Sequence, residues 1–362
     1  MSKLDKLQSM VPMEEIEQSA QQQIYDVLSL ECLKKLAIMP DVHAGYDLPI
    51  GGVALLDGMI SPSFVGFDVG CGMCSVDTNI PQYELSKDNL KQLYDDIVKT
   101  IPTGFSSLDK SDYHFEYVIH SHMPKEVKQR VKEKSVMQLG TLGGGNHFIE
   151  IGISQNTGTY CVTIHSGSRN VGHTIGGWYM KQGRMFPLLS DLGLSYLGDM
   201  NFALEWALYN RLKMINKICK ILGVTYKSNL LINENHNHAI ITKEGVLHRK
   251  GATPADAHQL GIIPANMRDG VYITKGLGNE KFLSSASHGC GRTMGRNAAK
   301  KNLDYDKFVG QMEGVVCSTD RSILDEAPEA YKDINYVMKA QEGITIDVVD
   351  FIKPVLNIKA KE

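Results

Sequence analysis

Val65-Gly66-Phe67-Asp68-Val69-Gly70-Cys71-Gly72-Met73-Cys74 sets a carboxylate and a thiol three residues apart in a backbone of glycines. Glycines at 66, 70 and 72 let the chain bend and approach a ligand where a side chain would block it. Asp and Cys both bind metal once deprotonated, and a bound cation keeps the thiol ionised. Upstream, Asp41 and His43 stand in Met39-Pro40-Asp41-Val42-His43-Ala44-Gly45, and downstream Ser75-Val76-Asp77 reads as a strand leaving the turn. Two readings of Asp68 and Cys71 stay open on this stretch: metal ligands, or a buried hydrogen-bonded Asp beside a small core Cys. Cys71 and Cys74 make one C-x-x-C, but a zinc knuckle needs a second pair and none is spaced for it. A thioredoxin-type pair would want a βα context that is missing here.

On either side, periodicity predicts the elements. Residues 13–36 read as helix, with Ile16, Ile24 and Leu28 on one face and Glu14, Glu15 and Glu17 enriching the first turn. Residues 36–39 read as a buried strand ended by Pro40. Residues 50–56 are a second apolar run, from which Asp57-Gly58 turns a hairpin into Met59-Ile60. Ser86 caps a helix reaching Thr100, with Leu90, Leu93, Tyr94, Ile97 and Val98 as its stripe and Pro102 as its stop. Residues 104–123 are polar and irregular. The basic run Lys125, Lys128, Arg130, Lys132 and Lys134, balanced by Glu126 and Glu133, reads as a solvated helix face rather than an RNA-binding one. Strands are predicted over 160–164, 230–232 and 246–249. A long helix is predicted over 201–222, with Asp199 near its start and Gly223 as its stop.

Strands and helices alternate irregularly, without repeats, low-complexity tracts or linkers. That favours one mixed α+β domain over all 362 residues. Hydrophobic content of 43% and charged content of 22% are those of a soluble globular protein. A net charge of -3 carries no global nucleic-acid signature, so any RNA contact must be a local basic patch. Seven cysteines lack framework spacing, the start has no signal-type apolar region, and no apolar run is long enough to span a bilayer. The expectation is a cytoplasmic protein, off the membrane, with free or metal-bound thiols.

His147, His165 and His236 each follow or end a short apolar run, and imidazoles at strand ends are placed to converge on a metal. With Asp68 and Cys71 they suffice for one crowded site or two adjacent ions. Imidazole and carboxylate suit manganese, while the thiolate also suits zinc. Asn237 and His238 stand ready to orient those ligands. In Ser284-Ser285-Ala286-Ser287-His288-Gly289-Cys290-Gly291-Arg292 the small residues leave room around His288, and Arg292 and Arg296 follow at helical spacing, suited to phosphate. The alternative there is a capped helix start with a surface His. A neutral His can attack phosphorus and hold a nucleotidyl group, with metals polarising the phosphate. Arg169 and Asn146 could hold a second phosphate. No segment reads as a Walker loop or a Rossmann fingerprint. The residues point to metal-dependent nucleotidyl transfer.

Six motifs together with the 66–73 turn carry a resemblance. They are Met39-Pro40-Asp41-Val42-His43, Pro49-Ile50-Gly51-Gly52-Val53, Gly140-Thr141-Leu142-Gly143-Gly144-Gly145-Asn146-His147-Phe148, His165-Ser166-Gly167-Ser168-Arg169, His248-Arg249-Lys250-Gly251-Ala252 and Ser287-His288-Gly289-Cys290-Gly291-Arg292. In order, from about residue 36 to the end, the chain resembles RtcB-type RNA ligases. The resemblance implies one compact α+β domain, with central β-sheets flanked by helices. It implies a ligase using GTP and two Mn2+ ions to join RNA 3'-phosphate or 2',3'-cyclic phosphate ends to 5'-hydroxyl ends, in tRNA splicing or RNA repair. An accessory activator is a partner it leaves open. Carried onto this sequence, the resemblance makes Asp68, Cys71, His147, His165 and His236 the metal ligands and His288 the guanylylated nucleophile. Asn146, Glu150, Asn266, Tyr331 and Lys359 match nucleotide positions; Arg169, Arg292 and Arg296 match positions for RNA phosphates. Pro264-Ala265-Asn266-Met267 stands where the family often has Pro-Gly-Ser-Met, and Val271 where a Ser is common.

The rival class is a dinuclear metallophosphoesterase acting on terminal phosphates, for which Asp68, Cys71 and the three histidines would look the same. It needs no covalent nucleotide, so His288, Tyr331 and Lys359 discriminate. A metal-storing or metal-sensing protein would leave the arginines unexplained.

Overall fold

In the computed structural model, which describes residues 3–108, 121–226 and 228–361, the apolar runs pair into two main sheets. The larger has the order Leu260–Pro264, Val271–Gly276, Ile346–Ile358, Phe148–Ser154, Thr159–Ser166, Gly72–Pro81, Ile232–Asn235, each neighbour antiparallel to the next. The short strand Val316–Cys317 adds to Ile346–Ile358 in parallel. The second sheet has the order Leu7–Ser9, Leu33–His43, Ile50–Leu56, Val246–Lys250, Asn237–Ile241. A two-stranded ribbon of Ala252–Pro254 and Ser285–Ser287 continues from it.

Helices cover the sheets, giving the predicted α+β arrangement. Leu90, Leu93 and Ile97 of Lys87–Thr100, and Met214, Ile215 and Ile218 of Asp191–Leu222, bury against Val76, Ile149, Ile151, Val162 and Ile164 of the large sheet. Each such side chain contributes roughly 1.5–3 kcal/mol when taken from water. Ser86 caps its helix as predicted: Asn89 N–H donates to Ser86 Oγ at 3.2 Å and Ser86 N–H donates to Asn89 Oδ1 at 2.9 Å. Ile24, Val27 and Leu28 of Gln18–Leu28 pack on Leu33, Leu36 and Leu56 of the second sheet.

Tertiary pairing overrides local propensity at several places. The helix predicted over 13–36 is Gln18–Leu28 alone, behind a 3-10 turn at Met13–Glu15; Leu33 already opens a strand. That strand runs through Pro40 to His43, because its ladder with Ile50–Leu56 is interrupted between Ile38 and His43. The missing Pro40 N–H therefore costs no ladder bond. Asp57-Gly58 closes no hairpin, since Met59–Ile60 pairs with Phe186–Pro187 instead. The helix predicted over 201–222 starts at Asp191, capped by Ser190. Asp199 lies inside it, buried, and accepts from Tyr179 OH at 2.6 Å and Ser121 Oγ at 2.5 Å. Gly223, at φ 70°, ends the helix as predicted. Leu230 belongs to a 3-10 turn, and the strand begins at Ile232. The basic run is the outer face of Lys125–Met137, with Val131 turned inward. Within the irregular stretch 104–123, residues 109–120 lie outside the described residues. Among the described residues, no helix is long and apolar enough to cross a membrane.

Candidate metal centre and nucleotide pocket

Four adjacent strands of the large sheet bring their ligand residues to one end. Cys71 precedes Gly72–Pro81, His147 precedes Phe148–Ser154, His165 sits near the end of Thr159–Ser166, and His236 follows Ile232–Asn235. Antiparallel order makes two strand starts and two strand ends coincide. The turn carrying Asp68 folds over the same end. Gly167 faces it, and a Cβ there would run into Asp68 Oδ1.

The cluster is a convergence of electron-pair donors. Cys71 Sγ lies 3.4 Å from His147 Nε2 and 3.2 Å from His165 Nε2. His165 Nε2 lies 3.3 Å from His236 Nε2, and His147 Nε2 lies 3.1 Å from Asp68 Oδ2. The other nitrogen of two of these rings faces an acceptor: His147 Nδ1 the Leu142 carbonyl at 3.1 Å, His165 Nδ1 the Asn146 carbonyl at 3.3 Å. A carbonyl only accepts, so Nδ1 carries the proton and Nε2 turns its lone pair inward. Burial, reinforced by neighbouring imidazoles, pushes His165 and His236 well below the ordinary histidine range, keeping them neutral. Burial and then the Asp68 charge push the Cys71 thiol well up. Burial also raises Asp68, but His147, when it carries a proton on Nε2 as well, overcomes it and holds the carboxyl at about 2. Cys71, His147 and His165 offer one donor atom each within 4.8 Å of one another, with Asp68 and His236 beside them, and this donor set fits a metal ion. Asn237 supports the turn, donating to the Asp68 carbonyl at 3.0 Å and accepting from Gly251 N–H at 2.7 Å. His238 does not join it: it is buried against Arg249 at 3.1 Å, because strand alternation points it to the opposite face.

His288 stands beside this cluster, its ring 4.8 Å from that of His236. It follows Ser285–Ser287, and Asp41 reaches it from the strand Leu33–His43 of the second sheet. The fully buried Asp41 accepts through Oδ2 from His288 Nδ1 at 2.7 Å and from His288 N–H at 3.2 Å. A proton on Nδ1 leaves Nε2 with a free lone pair, the tautomer a nucleophilic His needs. In the sequence Asp41 stood beside the glycine turn and within one of the family motifs, with no role assigned to it.

His288 also lines a cavity of about 290 Å³ with Asn146, Glu150, Asn266, Arg292, Arg296, Tyr331 and Lys359. The organising group there is Glu326, which sequence reasoning missed. It accepts from Arg296 Nη1 at 2.6 Å, Arg292 Nη1 at 3.2 Å, Tyr331 OH at 2.6 Å and the Lys359 ammonium. Arg296 also pairs with Asp325 at 2.6 Å. Burial raises Glu326, but Lys359 and Arg296 outweigh it and bring the carboxyl to about 2. The available signal was an acidic pair set inside the apolar run Ile323-Leu324-Asp325-Glu326-Ala327. Glu150 is the opposite case: burial lifts it to about 8, with Asn357 Nδ2 donating to Oε2 at 3.0 Å and Oε1 unpartnered. Asn266 spends its side chain on its own turn, accepting from Arg268 and Asp269 N–H at 3.0 Å each and donating to Asp269 at 2.7 Å. Arg169 lies apart from this group, in a cavity shared with Phe67, Asp68 and His147. Its guanidinium donates to the Gly104 carbonyl and to Thr141 Oγ1.

Residues 23–123 and 113–360 match the family described as tRNA-splicing ligase RtcB. The chain is 32% identical to the RNA-splicing ligase RtcB of Escherichia coli, over 95% of each chain. It is 29% identical to the tRNA-splicing ligase RtcB of Methanococcus maripaludis, over 96% of this chain and 92% of that one. It is 28% identical to that of Aeropyrum pernix, over 90% and 88%.

Proposed function

The chain belongs to the RtcB family, and from that premise we propose that it is an RNA ligase joining 3'-phosphate or 2',3'-cyclic phosphate ends to 5'-hydroxyl ends with GTP. The observation that carries this reading is the His288–Asp41 pair, set between the metal cluster and the nucleotide cavity. His288 Nε2 attacks the α-phosphorus of GTP, a P–N bond forms, and pyrophosphate leaves with the electrons of the broken P–O bond. The ring becomes an imidazolium, and the Asp41 carboxylate offsets its charge through Nδ1. A 2',3'-cyclic end is first opened by water, which adds to phosphorus as the bond to O2' breaks and O2' takes a proton. An oxygen of the RNA 3'-phosphate then attacks the GMP phosphorus, the P–N bond breaks, and Nε2 recovers its lone pair. The 5'-hydroxyl finally attacks the RNA phosphorus, losing its proton and releasing GMP.

Asp68, Cys71, His147, His165 and His236 would hold two manganese ions, which would polarise phosphate oxygens and offset developing charge. Tyr331 and Lys359 face the base. Lys359 carries only donors, so it matches guanine's O6 acceptor and not adenine's amino group. Residues 1–362 act as one ligase domain, in the cytoplasm, where free thiols stay reduced. A dinuclear phosphoesterase would have no use for His288. The test is incubation with manganese and labelled GTP. An acid-labile label is expected on the parent protein and none on His288→Ala; an adduct on His288→Ala overturns the assignment.

A further inference from the structure

Besides the nucleotide cavity, two cavities formed by the described residues open on the metal cluster, and they meet at Phe67 and Asp68. The first, of about 430 Å³, is lined by Tyr46, Lys250, Asp68, Cys71, His236 and His288. The second, of about 220 Å³, holds Phe105, His147, Arg169 and His173 and does not reach His288. Their shared wall is aromatic. Tyr46 meets Phe67 edge-on at 5.2 Å, and Phe67 stacks on His173 at 5.0 Å and 24°. Tyr46 is held from beneath as well, with Lys250 Nζ 5.4 Å from its ring centre and bonded at 2.9 Å to the buried Ser63 carbonyl. Yet 60% of Tyr46 is exposed. A ring fixed at one edge and open over most of its surface, next to a catalytic centre, is a stacking platform.

We infer that Tyr46 stacks the terminal base of the RNA strand that carries the 3'-phosphate. The inference rests on the ligase reading. The phosphate that takes GMP must reach the group on His288 Nε2. Of the two further cavities only the Tyr46 one touches His288, and the other side of that imidazole belongs to the nucleotide cavity. An incoming 3'-phosphate therefore lies over His288 and the cluster, and the base it trails falls against Tyr46. The second cavity, at Asp68 and His147, stays open for the 5'-hydroxyl to approach from the face away from GMP. Stacking on an aromatic ring accepts any base, since every base has a π face. The platform thus adds affinity for single-stranded ends without choosing their sequence.

The experiment separates this from the ligase reading by resolving two steps. Adduct formation with GTP is measured first, and transfer of labelled GMP from the adduct to a 3'-phosphate RNA second. Tyr46→Ala should form adduct like the parent but raise the RNA KM for transfer about ten- to a hundredfold, the worth of one stacked base. Tyr46→Phe should restore it. RNA with an abasic terminal nucleotide should lose the same factor with the parent and no more with Tyr46→Ala. Phe105→Ala should leave transfer unchanged. A Tyr46→Ala KM equal to the parent's, or a loss that persists undiminished on abasic RNA, overturns the stacking role. A loss in Phe105→Ala instead places the strand in the other cavity and overturns it too. Failure of the parent to form any adduct would overturn the ligase reading beneath it.

Discussion

The metal cluster and the Glu326 cluster sit on either side of one cavity and have opposite electrostatic character. Around Cys71, the sulfur and the imidazole nitrogens converge, each 3.2–3.4 Å from its neighbour. Around Glu326, Lys359, Arg292, Arg296 and Tyr331 all donate to a single carboxylate. The first offers a donor set that fits a metal ion; the second holds three cations and a tyrosine in place around one carboxylate. On the proposed reading, the cluster that takes an ion is left open, while the cluster that meets the nucleotide is pre-organised.

The largest expected effect tests the first cluster. Cys71→Ala should lose its metal content and its guanylylation together. Cys74→Ala should keep most of both, because Cys74 packs with Val76 and Ile164 in the core rather than in the cluster. Metal analysis of the two purified proteins checks this, and equal losses with folding intact would favour a two-cysteine site.

Next in size is Glu326→Gln, which takes the carboxylate partner from the buried Lys359 and the half-buried Arg292, while Arg296 keeps Asp325. Breaking such a pair costs roughly 3–5 kcal/mol, so the denaturation midpoint should fall and GTP should bind more weakly. Metal content should not change, which would show the two clusters to be independent. Acid unfolding gives the sign separately. The Glu326 carboxyl is lowered from 4.5 to about 2, so its stabilisation is complete above pH 4.5 and disappears as pH falls through about 2. Glu326→Gln should lack that acid limb, and an unaltered limb would remove Glu326 as its source.

Glu150 should give a smaller, pH-graded effect. Lifted to about 8 by burial, it holds a proton at neutral pH. Guanine offers N–H donors, which favour the ionised carboxylate. GTP affinity should therefore rise as pH goes from about 6 to 8, by at most about tenfold per unit, and level off above. Glu150→Gln should flatten the profile in a nucleotide titration; a parent profile already flat would sink the idea. Asn266→Ala should do least to nucleotide choice. Its polar atoms serve the Arg268–Asp269 turn, so the ratio of GTP to ATP adduct rates should stay within about threefold of the parent, under 1 kcal/mol. A larger change would mean that the turn opens to place Asn266 on the base.

The five metal-type residues were legible because each is a ligand residue type in a glycine turn or at the end of an apolar run, and both are local signals. The Ser86 cap and the Gly223 stop were legible for the same reason. The strand through Pro40, the pairing of Met59–Ile60 and the early start at Asp191 were not, since each depends on a partner far along the chain. The same division holds for the site. By itself the sequence singled out residue types able to ligate, attack or bind phosphate. Only the tertiary structure decided that Asp41 orients His288 across 247 positions and that Glu326 gathers Lys359 and two arginines. Those contacts hang on sheet register and on how two sheets meet, where a slip of one residue would turn every side chain to the other face.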